Sequence, residues 1–150
     1  MVGLLLAACG FEPLHQSGDR GAALLARLDV PKDAAGVYFS QRLSGLLASS
    51  EGAPFEARFD IVEATQDSQL DSRGVALRQR LDIRLTVSVR RVADGKNWQR
   101  RFSQSGFIAQ GASGVDDMMR RKAQRELALD RLADRAAGFI RSLPTTEANQ

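Results

Sequence analysis

Between Val75 and Val92 the chain reads VALRQRLDIRLTVSVRRV. Leu77, Leu81, Ile83, Leu85, Val87 and Val89 hold one alternating set of positions, and Arg78, Arg80, Asp82, Arg84, Thr86, Ser88 and Arg90 hold the other. Gln79 alone interrupts the apolar set. A period of two predicts a β-strand with one face on a core and the other wet. At about 3.3 Å per residue such a strand runs roughly 50 Å, so a bend, or an overhang beyond the core, is expected. Asp94 and Gly95 supply a tight turn. Trp98, Arg100, Phe102 and Gln104 then alternate with Gln99, Arg101, Ser103 and Ser105 in a returning strand.

The flanking elements follow from the same reading. Leu24, Leu25, Leu28 and Val30 fit a short strand that Pro31 ends, with one helical turn as the alternative for the leucines. Asp33 is placed to cap a helix over 34–50, in which Val37, Phe39, Leu43, Leu46 and Leu47 recur at three- and four-residue spacing. Ser49, Ser50 and Gly52 stop that helix, and Pro54 forbids its continuation. Phe55, Ala57, Phe59 and Ile61 alternate with Glu56, Arg58 and Asp60 as a second half-buried strand, and the polar run 65–72 reads as a loop. After a glycine-bounded loop at 111–114, Asp116 and Asp117 favour a helix N-terminus. The proline-free stretch 118–143 places Leu129, Leu132, Ala136, Phe139, Ile140 and Leu143 at helical spacing before Pro144. The order β-α-β-β-β-α predicts an α+β fold: a four-stranded, mostly antiparallel sheet with two helices packed on one face. Residues 23–143 form one domain, and 144–150 a disordered tail.

Composition narrows the function. In 150 residues, 43% are apolar and no apolar run approaches the roughly 20 needed to span a bilayer. The net charge is +3, and all but three of the 21 basic residues are arginine, the exceptions being Lys32, Lys96 and Lys122. Arginine forks onto phosphate or carboxylate through two parallel hydrogen bonds, which leaves room for an anionic partner, although on charge alone composition bias and solvated faces are the favoured reading. With one cysteine (Cys9) and one histidine (His15), neither an intramolecular disulfide nor a cysteine-based metal site can form, and no spacing suggests a metal ligand set. No nucleophile elbow or glycine-rich phosphate loop is present, so no catalytic residue is assigned and no cofactor is expected. The chain reads as a non-enzyme.

Leu6-Ala7-Ala8-Cys9 is a lipobox, with a branched apolar residue and two small residues before the cysteine whose thiol takes a diacylglycerol. The alternative is a small buried cysteine. Against it, the apolar run stops at Cys9 and gives way to a polar stretch. Residues 1–8 are then the remnant of a signal peptide, and 9–22 a lipidated N-terminus and tether. The lipid expected on Cys9 is the thioether diacylglycerol together with an N-acyl chain, enough for stable anchoring. No Lys or Arg precedes Cys9, whereas a secretory signal opens with positive charge, so translation is expected to start upstream of Met1. Gly10 stands where an aspartate would favour retention in the inner membrane, which places the anchor in the outer membrane.

With Cys9, Gly10, Phe11, Pro13 and Leu14 at its start, Arg73 before the long strand, and Leu132, Ala133, Ile140 and Leu143 in the last helix, the chain resembles the LptE family of lipopolysaccharide-assembly lipoproteins in its alphaproteobacterial form. The resemblance covers nearly the whole chain. It implies two helices on a four-stranded sheet and a lipid-anchored place on the periplasmic face of the outer membrane. It also implies the β-barrel protein LptD as partner and a part in delivering lipopolysaccharide to the cell surface. On physical grounds the candidates for contact with lipopolysaccharide are Arg78, Arg80, Arg84 and Arg90, since side chains two apart on a strand share a face about 7 Å apart; the alternatives are a solvated face or contact with the acidic lumen of the barrel. Two rival readings are another outer-membrane lipoprotein accessory to a lipid transporter, and a nucleic-acid module of α-β-β-β-α order. Asp116 and Asp117 at the helix N-terminus, where phosphate would sit, oppose the second, and no nucleic-acid partner is expected.

Overall fold

The computed structural model describes residues 23–111 and 113–145. Its elements are β1 (Leu25–Asp29), α1 (Ala34–Leu46), β2 (Phe55–Leu70), β3 (Ala76–Arg91), β4 (Asn97–Ala109) and α2 (Gly114–Arg141). The sheet order is β1-β2-β3-β4, with β1 parallel to β2 and the other two pairings antiparallel. The sheet is therefore mixed. α1 is the crossover that a parallel pair requires.

Alternation sorts the strands into two faces. Phe55, Ala57 and Phe59 of β2 lie opposite Arg91, Val89 and Val87 of β3, and Leu85 of β3 lies opposite Phe102 of β4. Except for Arg91 these are apolar, and they form the sheet's half of the core. The helices supply the other half: Phe39 and Leu43 from α1, and Leu129, Leu132, Ala133, Ala136 and Ile140 from α2. Phe39 meets Phe59 with ring centroids 5.2 Å apart, and Phe102 meets Phe139 at 6.3 Å. Three alanines of α2 are fully buried, which lets the helix lie close to its neighbours. Polar groups along the helix seam fix it: Tyr38 donates to Asp130 at 3.1 Å, and Arg42 reaches Asp130 and Asp134 at 3.5 and 3.6 Å.

Several boundaries differ from the sequence reading. α1 ends at Leu46 rather than Ser50, because Leu47 turns extended and Ala48 and Ser49 pair with the start of β1; Leu24 and Leu25 both donate to the Ala48 carbonyl. β2 runs through most of the run expected to be a loop, to Leu70. There β3 takes up the backbone groups of alternate residues while both side-chain faces stay wet, so no burial alternation marks it. α2 begins at Gly114, where the Ser113 hydroxyl accepts from the Asp116 amide. Leu77 lies on the core side of β3 but is 47% exposed, because the core stops at Leu81 and Ile108 and the strands overhang it. Val37, placed on the buried stripe of α1, is 48% exposed.

The end of the sheet opposite this overhang is locked by Arg91, only 4% exposed. It pairs with Asp94 in the β3–β4 turn, donates to the Pro144 carbonyl at 3.1 Å and lies 5.6 Å from the Trp98 ring centroid. Hydrogen bonds from Arg91 and the Lys96 amide hold the Asp94 carboxyl well below the usual carboxylate range. Gly95 takes φ 72° in this turn, a conformation that favours glycine.

Candidate interaction surface

The sheet face opposite the helices is uncovered by any described residue. Its rows across β1, β2, β3 and β4 follow from register. Arg27, Glu56, Arg90 and Asn97 form one, and Asp29, Arg58, Ser88 and Gln99 the next. Further along stand Asp60, Thr86 and Arg101, then Val62, Arg84 and Ser103, then Ala64, Asp82 and Ser105, and then Gln66, Arg80 and Phe107. Arg78 lies beyond, opposite Ala109. The four arginines proposed from sequence do share one face. They differ in how they are engaged.

Arg80 donates to Asp82 at 2.9 Å and to Ser105 at 3.3 Å, and Arg90 pairs with Glu56 at 3.6 Å. Arg78 lies over the Phe107 ring, 4.9 Å from its centroid. Arg84 makes no hydrogen bond or ion pair among the described residues. The Ser105 hydroxyl above all, then the hydrogen bond from Arg80 and the charges of Arg80 and Arg84, hold the Asp82 carboxyl below its ordinary value against a smaller opposing effect of desolvation.

Register adds three arginines that the single-strand reading left out. Arg27 and Arg58 come from β1 and β2, and Arg101 from β4; Arg58 pairs loosely with Asp29 at 3.8 Å. Arg101, like Arg84, makes no hydrogen bond or ion pair among the described residues. These two are diagonal neighbours across the β3–β4 pair, a relation that puts backbones about 7–8 Å apart. The signal for Arg101 was its place in the polar set of the returning strand, but only the pairing sets it beside Arg84. Two open hollows of about 320 and 440 Å³ lie at the β1 end of the face, the first bordered by Arg27, Glu56, Arg58 and Arg90. Such a surface can recognise anions by charge and hydrogen bonding. Among the described residues no cluster of His, Cys, Asp and Glu is placed to hold a metal ion, and no helix is long and apolar enough to cross a membrane. Cys9, Gly10, Phe11, Pro13 and Leu14 lie outside the described residues.

Fold and face together define an α+β domain: a mixed four-stranded sheet, helices on one side, an arginine-bearing surface on the other. No protein-family model matches the chain, and no curated protein matches it in sequence. Solved structures do match it in fold. A candidate lipoprotein from Caulobacter crescentus CB15 is similar over 77% of this chain and 86% of its own, at 14% identity and a TM-score of 0.60. Rare lipoprotein B from Shewanella oneidensis is similar over 77% of this chain and 94% of its own, at 10% identity and a TM-score of 0.56. Lipoprotein B from Nitrosomonas europaea is similar over 81% and 86%, at 10% identity and a TM-score of 0.58. At these identities the likeness is one of fold.

Proposed function

We propose that the protein is a lipid-anchored lipoprotein of the outer membrane, of the LptE type, that acts without catalysis. In this reading it partners the LptD β-barrel from the periplasmic face and contributes to the assembly of lipopolysaccharide at the cell surface. The observation that carries it is the coincidence of a Leu-Ala-Ala-Cys lipobox with a fold shared by three lipoprotein structures. The open arginine face supports the ligand class. Lipid A phosphates are dianionic, arginine binds phosphate through paired hydrogen bonds, and among the described residues Arg84 and Arg101 have no hydrogen bond or ion pair to give up. Within this proposal Arg84 and Arg101 bind first, while Arg78, Arg80 and Arg90 must loosen existing contacts.

The test has two parts. Affinity purification of the tagged full chain from detergent-solubilised membranes should bring down LptD, and Cys9→Ala should move the protein out of the membrane fraction. Recovery of an inner-membrane transporter instead of LptD, or unchanged membrane association of Cys9→Ala, overturns the reading. For the ligand, Arg84→Glu with Arg101→Glu should weaken binding of purified lipopolysaccharide by more than Arg78→Glu with Arg90→Glu, and added salt should weaken the wild type.

A further inference from the structure

We propose that the outer edge of β2 between Ile61 and Asp67 is an acceptor site for an extended, cationic segment of a partner protein, which would add to the sheet as a further strand. This stands on the strand edge alone and is independent of the lipopolysaccharide reading. β1 pairs with β2 only as far as Arg58, because Pro31 and α1 carry the chain away after Asp29. β2 continues in unbroken register with β3 to Asp67. Hydrogen-bond direction alternates along an antiparallel ladder. The Phe55 amide donates outward to Leu24, and the Arg91 amide opposite it turns away to Lys96. Ile61, Glu63, Thr65 and Asp67 share the phase of Phe55, so their N–H and C=O groups point out of the sheet. None of these backbone groups has a partner among the described residues.

The opposite edge is treated differently. On β4, outward carbonyls are capped from α2: Arg135 donates to Ser103 at 3.0 Å and Arg120 to Ala109 at 3.4 Å. Sheet edges left bare recruit strands, and proteins blunt them with charged side chains, lysine above all, with proline or with bulges. β2 has neither proline nor any Lys or Arg from Phe59 to Leu70, and its register shifts begin only after Asp67.

Charge selects the occupant. The free edge carries Asp60, Glu63 and Asp67. Glu63 gives one oxygen to Arg125 at 2.9 Å, while its buried Oε1 has no partner among the described residues. A second copy would bring a second acidic set to the seam; a cationic strand would neutralise the first and could donate to Glu63. Main-chain pairing of this kind supplies affinity, and alternate side chains supply selectivity.

The test uses the full-length protein in detergent and a short labelled peptide of alternating valine and lysine, with a valine–glutamate peptide as control. The lysine peptide should bind at least about tenfold more tightly than the glutamate peptide, and should slow hydrogen exchange at Glu63, Thr65 and Asp67. Thr65→Pro removes an outward donor while leaving the bonds to β3, and should weaken binding at least about tenfold. Thr65→Lys, which keeps the backbone intact and sets a like charge against the peptide, should do the same and serves if the proline variant does not fold. Equal binding of both peptides, full affinity in Thr65→Lys, protection confined to β4, or a self-dimer that pairs through β2 each overturns the proposal.

Discussion

Gly36 gives a test of packing in which two rules of helix energetics oppose each other. It stands in the first turn of α1, where its amide donates to the capping Asp33 carboxylate at 2.8 Å. Propensity alone says that Gly36→Ala should stabilise the helix by up to about 1 kcal/mol. Space says otherwise. A Cβ at this position would lie 2.0 Å from the Pro31 carbonyl oxygen and 2.7 Å from its carbon. Relief requires a shift of about 1 Å or more in the backbone, and the proline ring fixes φ at Pro31. Forced repacking of this kind costs about 1–3 kcal/mol, and a backbone obstacle belongs at the upper end. The net expectation is a loss of about 2 kcal/mol, or roughly 5–10 °C in Tm for a domain of this size. Gly138 is the control, being exposed in the 28-residue α2 with nothing within 4 Å of where an alanine Cβ would stand. Gly138→Ala should gain about 0.5–1 kcal/mol. Thermal and urea unfolding followed by circular dichroism measure both. A Gly36→Ala variant as stable as the wild type would refute the placement of Pro31 against α1.

Leu132, fully buried beneath the sheet, should lose about 2–5 kcal/mol on replacement by alanine, read from the urea midpoint. Asp33→Ala removes the cap of α1 and should cost about 1 kcal/mol in the same assay. The Asp94 carboxyl is held below its unfolded value, so its contribution is complete above that value and fades as pH falls through the folded one. Asp94→Asn should therefore be less stable than the wild type at neutral pH, with the gap closing below about pH 4. A gap that stays constant into acid would contradict the Arg91–Asp94 account.

What the sequence made legible depended on burial. β3 was readable because its core side is apolar and its outer side polar over many residues, and the C-terminal half of α2 was readable for the same reason; β4 was readable from the turn at Asp94 and Gly95 and from Trp98 and Phe102 two turns of the pleat apart. The outer half of β2 carries no such record. From Ala64 to Leu70 both faces are wet, and the strand exists because β3 offers it hydrogen bonds, a cause located in a different part of the chain. The parallel placement of β1 is similarly non-local. Among candidate residues, the face shared by Arg78, Arg80, Arg84 and Arg90 followed from spacing alone. Which of them is engaged did not, because their partners Glu56, Ser105 and Phe107 lie on neighbouring strands. Arg101 needed the β3–β4 register before it could be set beside Arg84.

The overhang of β2 and β3 beyond Leu81 separates two design problems within one sheet. Both described chain ends lie at the other end, with Leu24 bonded to Ala48 and Pro144 held by Arg91, so the chain ends and the core are settled together. Past Leu81 a pair of residues added to each strand would lengthen the ribbon by about 6.6 Å, keep every side chain on its own face and leave the core unchanged. Homologous lengths at this end should therefore change in even steps. The projecting hairpin is in effect an adjustable reach, whose length is set independently of the core.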